Sequence, residues 1–256
     1  MKLLVKLGGT LLESEDSRNS LALQLTALVD AGHRLVVVHG GGKRLSRYLA
    51  TLDHESEFRN GLRVTPPETL DAVLRVLAGS VNHHLVAELQ KAGAKAVGLS
   101  GIDAGLVRAV QMDPELGAVG KVESVDASLL ELLTTQGYLP TVACIAGGDD
   151  GAIFNVNADQ MAAGCARGFG VDRVIFLTDV GGVLDAEQVR IRTLTCGEAE
   201  ELISSGVAQG GMEAKLRSAM AAVAGGIKSV SIVAGTEPDI LARVLAGEDT
   251  GTTLLP

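Results

Sequence analysis

Two apolar runs near the N-terminus, the first holding a single lysine, each end in glycines. Val5-Lys6-Leu7-Gly8-Gly9-Thr10 closes the first, and Val38-His39-Gly40-Gly41-Gly42 closes the second. A short apolar run without polar alternation reads as a strand buried on both faces, as in parallel sheets. Two consecutive parallel strands carry their following loops to one carboxyl edge, where α/β proteins bind ligands. Glycines there let backbone N–H groups approach phosphate oxygens, and Lys6 adds positive charge beside them.

Similar runs rich in Val, Leu and Ile recur. With residues 3–7 and 35–39 they comprise 95–99, 141–145, 173–178 and 229–233, separated by helix-like segments at 20–30, 68–78, 81–92 and 157–168. This alternation predicts an α/β fold, a mainly parallel central sheet with helices on both faces. Residues 106–125 break the rhythm with Asp113-Pro114 and two glycines and read as a β-hairpin. A second hairpin is expected over 183–194, turning near Ala186-Glu187-Gln188. A soft boundary near 168–171 divides the chain into lobes of residues 1–170 and 171–256.

Glycine contributes 32 residues against 6 prolines and sits between apolar runs, which argues for tight βα turns rather than disorder. Aromatic residues make up 2%, with no Trp, and the net charge is −9, so a nucleic-acid partner is not expected. An acidic protein that handles anions needs local cations, which directs attention to individual Lys and Arg side chains. Cys144, Cys165 and Cys196 lack C-x-x-C or metal-ligand spacing and read as small core residues in a reducing compartment. Lys6 interrupts the N-terminal apolar stretch, and no apolar run approaches about 18–20 residues. Neither signal peptide nor membrane span is expected, and the cytoplasm is the expected location.

Four further segments carry candidate chemistry. Gly61-Leu62-Arg63-Val64-Thr65 places Arg63 before a helix start at Pro66-Pro67-Glu68; the guanidinium either forks onto a carboxylate or is an ordinary surface group. Asn155-Val156-Asn157-Ala158-Asp159 sets two amides and a carboxylate at alternate positions, although Asn157 or a neighbour also suits a helix N-cap. Thr178-Asp179-Val180-Gly181-Gly182 ends a later run in an acidic turn that ordinary turn chemistry also produces. Gly210-Gly211-Met212-Glu213-Ala214-Lys215 opens an Ala-rich helix. Lys215, read in its first turn, opposes the helix dipole by roughly 0.3–1 kcal/mol unless it faces an anion. Adjacent His83 and His84 point to different helix faces, and His39 suits a local hydrogen bond. Walker, G-x-S-x-G and H-E-x-x-H patterns are absent.

In order along essentially the whole chain, six segments resemble the amino-acid kinase family. They are Lys6-Leu7-Gly8-Gly9, His39-Gly40-Gly41-Gly42, the Arg63 segment, Asn155-Val156-Asn157-Ala158-Asp159, Asp179-Val180-Gly181-Gly182-Val183-Leu184, and Gly211-Met212 through Lys215. The Arg63 and Asn155 segments resemble its acetylglutamate-phosphorylating branch. The resemblance implies transfer of the ATP γ-phosphoryl group to the side-chain carboxylate of N-acetyl-L-glutamate, with Mg²⁺ carried on ATP. It implies that Lys6 and Lys215 meet the transferring charge and that Asp159 holds both lysines. Gly8, Gly9, Gly41 and Gly42 would donate backbone hydrogen bonds around the phosphoryl group and substrate, and Arg63, Asn155 and Asn157 would bind the amino acid. Asp179, Val180, Gly181, Gly182, Val183, Leu184, Gly210 and Gly211 would line the nucleotide pocket. By the same resemblance the first lobe binds the amino acid and dimerises, and the second binds ATP. A carboxylate with a reference pKa of about 4.3 is already ionised at pH 7, so this chemistry needs positioning and charge stabilisation but no general base.

Competing expectations are a related kinase acting on carrier-linked aminoadipate or glutamate, and a nucleotide-binding regulatory or storage protein without turnover. Lys6, Asp159 and Lys215 together argue against the latter. A dinucleotide oxidoreductase is disfavoured because no G-x-G-x-x-G follows the first run. The chain begins at its first strand, without the N-terminal helix of arginine-inhibited hexameric relatives, and residues 246–252 match the family's arginine-binding end only loosely. The expectation is therefore a homodimer insensitive to arginine. Gly98-Leu99-Ser100-Gly101-Ile102-Asp103 resembles the family loosely and receives no role.

Overall fold

The apolar runs become the spine of one large sheet in a computed structural model that describes residues 1–256. The strands are β1 (Lys2–Leu7), β2 (Arg34–His39), β3 (Phe58–Arg59), β4 (Leu62–Arg63), β5 (Lys95–Ser100), β6 (Val107–Gln111), β7 (Val119–Val125), β8 (Tyr138–Ala143), β9 (Ile145–Gly147), β10 (Ile153–Val156), β11 (Arg173–Thr178), β12 (Thr193–Thr195), β13 (Val230–Ala234) and β14 (Gly251–Leu255). Eight line up as β12-β14-β13-β11-β1-β2-β8-β5, and every neighbouring pair is parallel except β13 with β14. The helices are α1 (Glu15–Asp30), α2 (Gly42–Ala50), α3 (Pro67–Val73), α4 (Asn82–Lys91), α5 (Ser128–Thr135), α6 (Ala158–Phe169), α7 (Cys196–Ser204), α8 (Gly210–Ala224) and α9 (Ile240–Ala246).

Strand alternation sorts side chains into two cores. Leu3, Val5 and Leu7 of β1 pack with Val37, Ile175 and the inner faces of α1 and α4. Leu4 packs on the opposite face with Val36, Phe176 and the inner faces of α6 and α8. Lys6 shares the Leu4 face, so the one charge in the interior of β1 is directed toward α6. Cys144 and Cys165 are buried as expected. No helix is long and apolar enough to cross a membrane.

Three local expectations shift. Residues 67–91, expected as two helices, form one rod in which a π-helical stretch, Leu74–Val81, joins α3 to α4. Gly79 lies in that stretch, and its helix cost of about 1 kcal/mol relative to Ala resembles a break in the sequence. The run 141–145 divides at Cys144: β8 stays in the large sheet while β9 enters a closed barrel, β10-β7-β6-β9. The 106–125 hairpin forms as expected, β6 with β7, and supplies two of the barrel's four strands. Of the second hairpin only the Leu184–Arg190 bridge forms, because residues 193–195 leave to pair in parallel with β14. Of the unassigned segment 98–103, residues 98–100 end β5 and residues 101–103 begin the crossover from sheet to barrel. Gly101 donates to Ile145 O at 2.6 Å, and a Cβ there would sit 2.4 Å from the same oxygen.

Candidate active site

Because β1 and β2 are adjacent and parallel, their glycine loops meet backbone to backbone. A Cβ on Gly9 would lie 3.1 Å from Gly41 N, and one on Gly41 would lie 2.7 Å from Leu77. The amides of the two loops differ in their use. Gly8 donates to Leu177 O at 2.9 Å and Gly40 to Leu7 O at 3.2 Å. Gly8 therefore departs from the expected role of donor to a ligand; it is small because β11 passes close beside it. The Gly41 N–H has no protein acceptor. Gly9 opens a 3₁₀ turn (Gly9–Leu12) and Gly42 opens α2, so both amides lack an acceptor within their own helix. Three N–H groups are left for an anion.

Asn157 caps α6, its Oδ1 accepting from the amides of Asp159 and Gln160, so the bland reading of this residue holds. The cap sets Asp159 in the first turn, where the helix dipole favours a carboxylate. Asp159 Oδ1 lies 2.7 Å from Lys6 Nζ, an ion pair with both side chains 7% exposed. Lys215 is the sixth residue of α8, in the second turn rather than the first, because the helix starts at Gly210. Its Nζ donates to Gly211 O at 3.2 Å and makes no ion pair. Asp159 thus grips Lys6 alone and reaches Lys215 only through its field. Burial pushes the Lys215 ammonium below the ordinary lysine range, Asp159 and Asp179 pull it back, and Lys6 adds to the depression.

Arg63 is 8% exposed, and its guanidinium is largely committed. One Nη donates to Ser46 Oγ at 2.8 Å and Gly42 O at 3.1 Å, the other to Ser56 Oγ, and the group stacks 4.6 Å from the Phe58 ring. Of its five N–H groups two remain for a ligand. Asn155 Nδ2 donates to Thr65 Oγ1 at 3.1 Å. Gly41, Gly42, Arg63, Asn155 and Asn157 line a cavity of about 170 Å³, amino-acid sized. A neighbouring cavity of about 670 Å³ shares Asn157 and reaches Gly210.

Asp179 stands at the end of β11 beside Lys215. Burial disfavours its charge, yet its own amide, the hydroxyls of Thr178 and Thr10, and Lys215 together hold the carboxyl below the usual range. Val180 and Leu184 are exposed, Gly181 faces open space, and Gly182 is pressed against Thr252 and Arg190. Val183 is buried and donates its amide to Thr252 Oγ1 at 2.8 Å. Gly210 and Gly211 form the first turn of α8. Ser46, Ser56 and Phe58 around Arg63, and Asn82 beneath the second glycine loop, escape sequence reasoning. Each acts by a contact between distant segments that no local pattern marks.

A sequence profile of the amino acid kinase family matches residues 1–234. The chain is 59% identical over 256 residues to the acetylglutamate kinase of Solibacter usitatus (strain Ellin6076), which covers 100% of this chain and 99% of that one. Against the acetylglutamate kinase of Acidobacterium capsulatum it is 41% identical over 255 residues, covering 99% and 98%. Among solved structures, smu.665 from Streptococcus mutans UA159 superposes with a TM-score of 0.86 at 27% identity, covering 99% and 98%. An N-acetylglutamate synthase from Neisseria gonorrhoeae, complexed with coenzyme A and N-acetyl-glutamate, gives 0.88 at 26%, covering 100% of this chain and 59% of that one. With sequence and fold in agreement over nearly its whole length, this chain belongs to the amino acid kinase family.

Proposed function

We propose that the protein transfers the γ-phosphoryl group of ATP to the side-chain carboxylate of N-acetyl-L-glutamate, giving an acyl phosphate for arginine biosynthesis. The observation that carries this reading is the convergence of Lys6, Lys215 and three unpaired glycine amides on one sheet edge, with no free base among them. A carboxylate oxygen attacks the γ-phosphorus, the bond to the β-phosphate oxygen breaks, and ADP leaves. The obstacle is the approach of two anions, and fixed positive groups meet it. Asp159 holds Lys6, while Lys215 keeps two of its three N–H donors free. Arg63 and Asn155 orient the amino acid, and the exposed Val180 and Leu184 with the 210–211 turn offer a surface to the nucleotide.

Mg²⁺ would enter on the phosphates of ATP, keeping waters as it prefers. In this reading residues 1–170 hold the amino acid and 171–256 the nucleotide. The chain works in the cytoplasm as a homodimer indifferent to arginine. Light scattering at twice 26.3 kDa supports the dimer, and inhibition by millimolar arginine overturns the last point.

The fold alone does not decide the chemistry, since a synthase shares it. Trapping with hydroxylamine does: only a carboxylate kinase yields a hydroxamate with ATP. Acetylglutamate should react fastest in a panel with glutamate, aspartate and aminoadipate. A faster reaction with another acceptor reassigns the substrate, and no hydroxamate with any acceptor removes the kinase reading.

A further inference from the structure

His39 is the one histidine sealed from solvent, and the proposed chemistry uses no base. Its Nδ1 lies 2.9 Å from Gly40 O, and its Nε2 lies 2.9 Å from Asn82 Nδ2. The same Asn82 nitrogen reaches Thr141 O at 3.0 Å and Leu99 O at 3.3 Å. The facing carbonyls fix that atom as the amide nitrogen; its two N–H groups serve the nearer partners, Thr141 O and His39 Nε2, with Leu99 O a longer shared contact, so His39 Nε2 accepts and Nδ1–H donates to Gly40 O. Burial pushes the ring down to about 4 against the pull of the Gly40 bond, which keeps it neutral at pH 7.

The Gly40–Gly41 peptide is trans, so turning its C=O toward His39 aims its N–H the opposite way. That N–H belongs to Gly41, which has no acceptor and borders the smaller cavity. The preceding peptide is fixed at both ends: Gly40 N–H donates to Leu7 O, and the Cys144 thiol donates to His39 O at 2.8 Å. Leu77 and Val81 pin the apolar side of Gly41. Both belong to the π-helical stretch, and Asn82 directly follows it; such stretches recur at functional sites.

We propose that Asn82 is a positioning residue for phosphoryl transfer: it clamps His39 in one tautomer, fixes the Gly40–Gly41 peptide and aims the Gly41 amide at the transferring group. The kinetic part rests on the carboxylate-kinase reading; the clamp itself does not. Turnover of ATP and acetylglutamate should fall about 10–100-fold in Asn82→Ala, the scale set by small misplacement, with both KM values within about threefold of wild type. In ¹H–¹⁵N spectra without substrates, the Gly41 amide should shift in Asn82→Ala and in the isosteric Asn82→Asp. Wild-type His39 should be the neutral Nδ1–H form at pH 7. A folded variant with kcat within about threefold of wild type overturns the proposal. So does an unmoved Gly41 signal, or wild-type His39 found as the Nε2–H tautomer or the imidazolium, a measurement that needs no variant to fold. If the wild-type protein phosphorylates no acceptor, the functional reading fails, and the spectra still decide the clamp.

Discussion

Lys6 and Lys215 carry the same charge in unlike settings, and their removal should have unlike consequences. Lys6 is buried against Asp159, so Lys6→Met strands a carboxylate and should cost about 3–5 kcal/mol of stability. Adding Asp159→Asn should restore stability without restoring turnover. Lys215 has no ion-pair partner, and the fold depresses its pKa below the ordinary 10.5. The unfolded chain therefore binds more protons between the depressed and ordinary values, and stability rises with pH across that window. Below it the destabilisation is fully present, so Lys215→Met should be at least as stable as wild type at pH 7, with an advantage that shrinks toward pH 10. Urea unfolding over a pH series reads both, and each variant should lose about 10²–10³ in turnover. Equal stability losses in the two variants would contradict the assignment of the ion pair. Arg63→Lys keeps the charge but cannot span Ser46, Ser56 and a ligand at once. Its KM for acetylglutamate should rise at least about tenfold, roughly 1.4 kcal/mol, with KM for ATP little changed. A rise confined to ATP would move Arg63 to the nucleotide side.

At the scale of elements, what could be read from the chain depended on whether local pattern or distant contact decides each piece. β1, β2 and β11 are apolar runs broken inside only by Lys6, and α6 opens with Asn157 as its cap, so these were legible. The barrel was not, because β9 and β10 have three and four residues, too few to show a period. Its closure turns on contacts such as Gly120 against Phe154, where a Cβ would lie 2.5 Å away. The π-helical stretch leaves no periodic signature in eight residues, which hid Asn82. The crossover loop gives the sharpest test of an element boundary. Gly101→Ala sets a methyl 2.4 Å from Ile145 O and 2.8 Å from Val107 Cβ, and backbone cannot step aside as a flexible side chain would. The expected loss is about 2 kcal/mol, or roughly 4–8 °C in Tm. Gly197→Ala, in α7 with only Thr195 Oγ1 at 3.9 Å, should leave Tm unchanged or slightly raised. A calorimetric scan in which both behave alike would show that the loop is more pliable than its contacts imply.

For the whole molecule, the residues proposed to hold the amino acid and those proposed to hold the nucleotide belong to different halves of the chain, yet the halves share one sheet. β1 lies between β2 and β11, so the boundary near residue 170 falls at the centre of the sheet. The core on the α6 face joins Val36 and Met161 from the first half with Leu216 and Ile232 from the second. Cutting the chain there would expose both an unpaired edge of β1 and the apolar face of α6, so neither half buries its own core. Unfolding should therefore be one cooperative transition with equal calorimetric and van't Hoff enthalpies. Saturating ATP, proposed to be held by residues of the second half, should shift that entire transition, by about 2.7 kcal/mol at a hundredfold excess over Kd. Two resolved transitions, only one of them moved by ATP, would mean that the halves fold independently and that the site forms only when they dock.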